Sequence, residues 1–469
     1  MNTRPLVVDL DGTLLKTDLL IESLLLFIRH YPWRIFSLLA WLLRGRSYLK
    51  HRIAQHVDFD AAVLPYTGDL LHWLRQEHAS GRQIVLATGS NQKHADKIAE
   101  HLGLFSAVHG SGAAVNLTGQ TKCSLLRQIF GERNFDYAGN ARVDLPIWSQ
   151  AAQIIMVNAP ASLRRLVARR HGEHLVLGGS DNRLLGLLRA MRPHQWIKNL
   201  LIFTPLLFAH QFTQPDKLLA SLLAFVAFGL CASSVYLLND LLDIQDDRHH
   251  PSKRRRPFAA GTVPALWGLL AAPVLLVSAL LLGWLVSPAF LLVLGCYYLV
   301  TLLYSLAIKR VVLLDAVTLG LLYTLRIIAG GAATDIPLSL WLLSFAMFIF
   351  LSLAIAKRCT ELRGKTAGSL RGRGYLHDDQ QIMVPFGIAS GYLSVLVLAL
   401  YINSNEIQLL YRQPQWLWAT CPLLLYWVSY FWLKTHRGDM HHDPILFALR
   451  DKTSLLIGGF MFLLLIMAI

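Results

Sequence analysis

Charge is scarce in this chain, and acid is scarcer than base. Asp and Glu number 29 against 44 Lys and Arg in 469 residues, so 16% of the chain is charged and its formal net charge is +15. With 54% hydrophobic residues and a mean hydropathy of +0.44, the chain is too apolar for an ordinary soluble enzyme. Several membrane helices are expected, with length to spare for a soluble domain. Nucleic-acid binding is not expected despite the positive charge, because most basic residues flank apolar runs and so specify membrane topology. Cysteine is also rare. Cys123, Cys231, Cys296, Cys359 and Cys421 are scattered with no CxxC pair, which excludes a disulfide framework or a zinc site and leaves them core or lipid-facing. A secretory signal peptide is not expected, since a strand-like run that ends in acids begins at Leu6.

What remains divides into two halves. Residues 1–180 alternate short β-like runs (Leu6–Val8, Ile84–Ala87, Ile154–Val157) with helical stretches, the pattern of a parallel α/β sheet covered by helices. From Leu19 to Leu43 the chain is rich in Leu, Phe, Ile and Trp but is broken by Arg29, His30, Pro32 and Arg34. Each apolar piece is too short to span a bilayer, so cap helices resting on the membrane interface are expected. Residues 181–198 read as a linker or interfacial segment, and 199–469 as an all-α polytopic membrane domain. Nine apolar segments are expected, near 197–212, 217–238, 264–286, 288–308, 312–331, 337–356, 382–403, 414–433 and 453–469.

Basic residues sort by loop. Arg189, Arg192 and Lys198 precede the first segment, Lys253 to Arg256 follow the second, and Lys309 and Arg310 follow the fourth. Lys357, Arg358, Arg363, Lys365, Arg371 and Arg373 follow the sixth, and Lys434, Arg437, Arg450 and Lys452 the eighth. The opposite loops offer only Lys217 and Arg412. The positive-inside rule then makes the soluble half cytoplasmic and the C-terminus external, in a bacterial inner membrane.

Two polar constellations stand out. The first is Val8-Asp9-Leu10-Asp11-Gly12-Thr13, with two carboxylates at the end of a predicted strand, where ligands of parallel sheets gather. Asp at i and i+2 can supply a nucleophile and an acid/base partner; an Asp-Gly turn after a strand is the plainer alternative. Thr88 ends a second β-run, Lys122 follows, and Gly139-Asn140-Ala141-Arg142-Val143-Asp144 completes the set. This order resembles the haloacid dehalogenase (HAD) phosphatase superfamily. The resemblance implies a Rossmann-like domain with a helical cap over about residues 15–80. It also implies Asp9 as nucleophile, Asp11 as general acid/base, and Thr88 and Lys122 as phosphate-binding groups. Mg²⁺ would be held by Asp9, Asp11, Asn140 and Asp144. The family motif usually carries an acid where Asn140 stands, so a weaker metal site is implied.

The second constellation is Asn239-Asp240-Leu241-Leu242-Asp243-Ile244-Gln245-Asp246-Asp247, at the end of an apolar run. Carboxylates beside a span are costly and normally have a task. Asp240, Asp243 and Asp247 share one face if the segment is helical. Such a face suits Mg²⁺, and the following Lys253-Arg254-Arg255-Arg256 suits phosphates. The NDxxDxxxD string closely resembles the first aspartate motif of the UbiA superfamily of intramembrane prenyltransferases. By that resemblance Asn239, Asp240, Asp243 and Asp247 would coordinate Mg²⁺ on a diphosphate. In the second family motif, Asp315 fits the first acid but Leu319 replaces the second. Four strings resemble the decaprenyl-phosphate phosphoribosyltransferase branch: Arg192 to Asn199, Lys253 to Pro257, Tyr304 to Asp315, and Leu322 to Arg326. The donor in that branch is phosphoribosyl pyrophosphate and the acceptor a polyprenyl phosphate. Lys198, Lys253, Arg254, Arg255, Tyr304, Lys309, Arg310, Asp315 and Arg326 are the candidate substrate-binding residues. Taken singly, the loop Lys and Arg residues are also compatible with topology anchors or headgroup contacts. Arg326 is the exception, because it lies inside an expected span.

The resulting expectation is a Mg²⁺-dependent membrane transferase that moves a 5-phosphoribosyl or related group onto polyprenyl phosphate, with a fused HAD phosphatase that would dephosphorylate the product. An aromatic polyprenyltransferase of quinone biosynthesis, using a prenyl diphosphate donor, stays open as an alternative. So does a non-catalytic lipid-binding scaffold. The polar strings Tyr375-Leu376-His377-Asp378-Asp379 and Met440-His441-His442-Asp443 read as solvated loops, and His249-His250 as headgroup contacts. The aromatics from Trp416 to Trp432 read as lipid-facing or interfacial residues.

Overall fold

The structure, a computed structural model, describes residues 4–171, 174–179, 182–363, 374–440 and 443–469. Lys365, Arg371, Arg373, His441 and His442 lie outside the described residues. The chain forms two compact units, Met1–Arg192 with Tyr236–Pro273, and Pro193–Val235 with Val274–Ile469.

The first unit is built on a six-stranded parallel sheet of order β3-β2-β1-β4-β5-β6. These strands are β1 Leu6–Val8, β2 Ile84–Asn91, β3 Ala107–Ser111, β4 Asp136–Gly139, β5 Ile154–Val157 and β6 Leu175–Leu177. Leu6 pairs with Ile84 on one side and Asp136 on the other, so β1 is central. Its three apolar residues serve both faces of the sheet. Leu6 and Val8 pack with Leu86, Ala138 and Ile155 on one face; Val7 packs with Val85, Tyr137 and Met156 on the other. Strand order reverses at β1, so the crevice at its C-terminal end, where Asp9 begins, is the natural ligand site of this sheet.

Three helices, Leu19–His30, Ile35–Leu43 and Arg46–His56, follow β1. Asp18 caps the first by accepting from the Leu20 and Ile21 amides. Phe27, Ile53 and Val57 form their own small core. The middle helix buries none of its residues; Trp33 just before it is 92% exposed and Phe36 within it 82%. A soluble protein rarely leaves such a surface in water. Arg248 reaches from the Tyr236–Pro273 segment to buried Glu22 with bonds of 2.5 and 2.7 Å.

Among the described residues six helices are long and apolar enough to cross a membrane: Pro215–Leu242, Ala265–Val286, Pro288–Leu306, Leu314–Thr334, Leu340–Arg363 and His377–Ile402. They match six of the nine expected segments. The segment near 197–212 instead folds as a 3-10 run, Pro193–Phe203, and a short helix, Thr204–Phe208. The last two become Thr420–Arg437, preceded by a 3-10 turn, and the 17-residue Lys452–Ala468. The core of the second unit gathers Ile349, Leu353, Met383, Val428 and Phe431. Trp432 corrects the expectation of lipid-facing aromatics: it is 4% exposed and donates to Ser352 Oγ at 3.0 Å. Trp416 and Trp418 do stay open, at 38% and 49%.

Candidate functional site

In the first unit the strand ends bring the N-terminal constellation together. Lys122, buried in the helix Gly119–Phe130, donates to Asp9 Oδ1 at 2.6 Å and to Tyr137 OH at 3.1 Å. Tyr137 in turn donates to Asp144 Oδ1 at 3.0 Å. Asp144 Oδ2 accepts from the Asn140 and Ala141 amides, each at 3.0 Å. Asp11 accepts from Leu19 N at 2.9 Å, from Ser90 Oγ at 2.6 Å and, weakly, from Thr88 Oγ1 at 3.5 Å. Gly12 has a φ of +74°, and an added Cβ would lie 2.0 Å from Asn140 Nδ2, so glycine lets these two loops meet.

Electrostatics separate the carboxyls. Burial, then the Asp18 charge, pushes Asp11 up to about 7. Burial and neighbouring Asp9 push Asp144 up to about 6. An acid that holds its proton near neutrality can donate it to a leaving oxygen. Beside Asp11 opens a cleft of about 340 Å³, lined among others by Gly12, Lys16, Asn140, Arg183 and Thr262.

The aspartate motif departs from the expected single helical face. The helix Pro215–Leu242 ends before Asp243, which begins the next helix, Ile244–His249. Asp240 and Asp247 are both 3% exposed and meet at Arg256, whose Nη1 lies 3.1 Å from Asp240 Oδ1 and 2.7 Å from Asp247 Oδ2. Arg192 also donates to Asp240 Oδ1. Asp240 Oδ2 is buried with no hydrogen-bond partner among the described residues. Asp243 turns instead toward Arg29, at 3.4 Å. Burial pushes Asp247 up to about 6, against the pull of Arg256. Asn239 is half-buried, while Lys253, Arg254 and Arg255 are exposed. His249 pairs with Asp60 at 3.0 Å.

In the second unit, buried Lys198 pairs with Asp443 and stands over the Tyr323 ring. Arg326 is held by Asn199 Oδ1 at 3.0 Å, Tyr297 OH at 3.1 Å and the Leu322 carbonyl at 2.5 Å, among the rings of Phe228, Tyr297 and Tyr323. Asp315 takes a two-pronged contact from Arg358, at 2.6 and 2.9 Å, and the Tyr304 hydroxyl at 2.9 Å. Lys309 is half-buried and Arg310 exposed in a 3-10 turn. Buried Tyr375 accepts from the Leu313 amide, and Asp379 caps Leu376.

Both acidic clusters offer hard oxygen donors. Among the described residues no three His, Cys, Asp or Glu side chains form a ready metal cage. Mg²⁺ does not need one, since one or two carboxylates and substrate phosphates complete its shell. Asp9 with Asp11, and Asp240 with its buried unpartnered oxygen, fit that role.

Sequence reasoning passed over Ser90 and Tyr137, and it named Arg192, Arg256 and Arg358 without placing them among the substrate-binding residues. Arg358 carried a legible signal, a charge at the edge of an apolar segment, but read as an anchor. Arg256 was hidden among three equivalent neighbours.

The model of the UbiA prenyltransferase family matches residues 200–465. An uncharacterized protein (y4nM) of Sinorhizobium fredii is 36% identical over 460 residues, 97% of this chain and 89% of that one. A decaprenyl-phosphate phosphoribosyltransferase of Mycolicibacterium smegmatis is 40% identical over 190 residues, 40% of this chain and 60% of that protein. A solved UbiA homolog from Archaeoglobus fulgidus, bound to DMAPP and Mg²⁺, aligns over 59% of this chain and 98% of its own at 16% identity and a TM-score of 0.47.

Proposed function

The chain belongs to the UbiA prenyltransferase family, and from that premise we propose that its membrane half moves a 5-phosphoribosyl or related group from a diphosphate donor to a polyprenyl phosphate. The observation that carries this reading is the Asp240–Asp247 pair: two buried acids beside a span, bridged by Arg256, with one oxygen left for a ligand. The strings shared with the phosphoribosyltransferase branch, and the 40% identity to one such relative, favour this donor over a prenyl diphosphate. Leu319 points the same way, since a second metal-binding acid is missing there.

Asp240 and Asp247, with Asn239 and Asp243, would hold Mg²⁺ on the donor diphosphate. The ion, when bound, supplies charge neutralisation for departing pyrophosphate. Arg256 and Arg192 add positive charge on the same side. The bond from C1 to pyrophosphate breaks, positive charge grows at C1, and an oxygen of the lipid phosphate bonds to it. That oxygen is already ionised at neutral pH, so no strong base is needed. Lys198, paired with Asp443, is the candidate anchor for a substrate phosphate. Arg326 acts in this reading as a positioning residue for Asn199. The three shorter apolar segments also cross, giving nine spans, a cytoplasmic N-terminal half and an external C-terminus in a bacterial inner membrane.

The N-terminal half would then remove a phosphate from the lipid-linked product. Asp9 attacks phosphorus while the ester bond to the sugar oxygen breaks, and Asp11 protonates that oxygen. Water then cleaves the aspartyl-phosphate, with Asp11 taking its proton and inorganic phosphate leaving. Lys122 and Thr88 would hold phosphoryl oxygens, and Asn140 and Asp144 would help seat Mg²⁺.

The test supplies solubilised full-length protein with polyprenyl phosphate, Mg²⁺ and radiolabelled phosphoribosyl pyrophosphate. Label should enter the lipid phase with wild type and fail to do so with Asp240→Asn or Asp243→Asn. A folded wild type that transfers no label, but joins a prenyl diphosphate to an aromatic acid, overturns the donor assignment.

A further inference from the structure

Resting on the phosphatase reading, we propose that the cleft beside Asp11 selects a phosphomonoester carrying a second anion and a membrane anchor, with Arg183 and Lys16 gripping the second anion. Buried Lys122 donates to Asp9, and the hydroxyls of Ser90 and Thr88 donate to Asp11, so these groups are placed around one phosphate. Two more cations, Lys16 and Arg183, line the cleft beside Asp11 together with the Asp18 carboxylate. They match a substrate with a second phosphate a short sugar away.

The third wall of the cleft gives the anchor. Gly261, Thr262 and Pro264 belong to the segment that enters the apolar helix Ala265–Val286 one residue later. This wall is fastened to both cation-bearing segments. At Gly261, φ is +70° and an added Cβ would stand 2.8 Å from Lys16 Cβ. At Gly186, on the helix that begins with Arg183, an added Cβ would stand 2.5 Å from Val263. Lys16, Arg183 and the entry to the span therefore form one rim. A volume of about 340 Å³ holds a phosphosugar with a second phosphate but no polyprenyl chain, so the lipid lies outside the cleft, and this rim leads to the span. The ligand class is thus a lipid-linked sugar phosphate whose link is itself an anionic phosphodiester.

The experiment uses full-length protein in mixed micelles. It compares kcat/KM on a polyprenyl-phosphate-linked pentose 5-phosphate with that on free pentose 5-phosphate. Separately, calorimetry measures binding of pentose 1,5-bisphosphate and pentose 5-phosphate to the Asp9→Asn protein. Wild type should favour the two-anion ligand in both, and Arg183→Gln should cut each preference about tenfold, the loss of one charged hydrogen bond. Arg183→Lys should restore most of it. Equal treatment of one-anion and two-anion ligands by wild type, or a preference that survives Arg183→Gln, overturns the proposal and leaves the phosphatase reading standing. A folded wild type that hydrolyses no phosphomonoester at all overturns both.

Discussion

Removing Arg358 should unfold the membrane unit far more readily than removing Arg358 and Asp315 together. The two side chains are both 0% exposed. Arg358 gives Asp315 a two-pronged contact at 2.6 and 2.9 Å, and Tyr304 adds a hydroxyl at 2.9 Å. Arg358→Met strips both charged contacts and leaves a buried carboxylate with neutral hydroxyl partners such as Tyr304. Breaking such a pair costs about 3–5 kcal/mol, because the remaining charge stays desolvated. At roughly 2–4 °C per kcal/mol, Tm should fall by about 10 °C. The double variant Arg358→Met, Asp315→Leu removes both charges and fills the space, so it should return to within about 2 kcal/mol of wild type. Tyr304→Phe, which removes a bond to Asp315 and one from Arg358, should cost at least about 1.5–3 kcal/mol. Thermal unfolding of the solubilised protein, followed by tryptophan fluorescence, reads all four. A double variant that melts with the single, or a single that melts with wild type, refutes the view that Asp315 is held chiefly as half of an ion pair.

Two further outcomes follow from the first unit. Arg256→Gln should lower transfer by about 10²-fold, as loss of a donor held against two buried acids at a developing charge does. Exposed Arg254→Gln and Arg255→Gln should change it only a few-fold, and parallel rates for the three would contradict the inward placement of Arg256. Asp11 is pushed up to about 7 when folded against 3.8 as the ordinary value, so the folded state binds the extra proton between those values. Stability from this group is therefore full below about pH 4 and declines as pH rises toward 7. In EDTA, Asp11→Asn should show a smaller Tm loss than wild type between pH 4 and pH 8, and identical slopes would refute the shift.

The N-terminal constellation was legible because its parts lie at strand ends, and strand ends can be read from short apolar runs such as Leu6–Val8. The spacing of Asp9, Thr88, Lys122 and Asp144 then needed only a parallel sheet to bring them to one edge. The short helices after β1 were legible for a different reason: apolar pieces cut by Arg29, Pro32 and Arg34 are too short to span. Ser90 and Tyr137 were not legible, since a serine and a tyrosine in buried strands carry no signal until a carboxylate is seen beside them.

By itself, the sequence determined that this is a polytopic membrane protein with an α/β half, because hydropathy and strand periodicity are properties of consecutive residues. It also located the two acidic motifs, since charge beside apolar runs is conspicuous on energetic grounds. Only the tertiary structure decided which charge meets which. A helix break at Asp243 turned that acid toward Arg29 and left Asp240 and Asp247 to Arg256. Arg358, read as an anchor, closed on Asp315 across 43 residues of chain. Such pairings depend on where backbones come to rest in three dimensions, and no local pattern of residues encodes that distance.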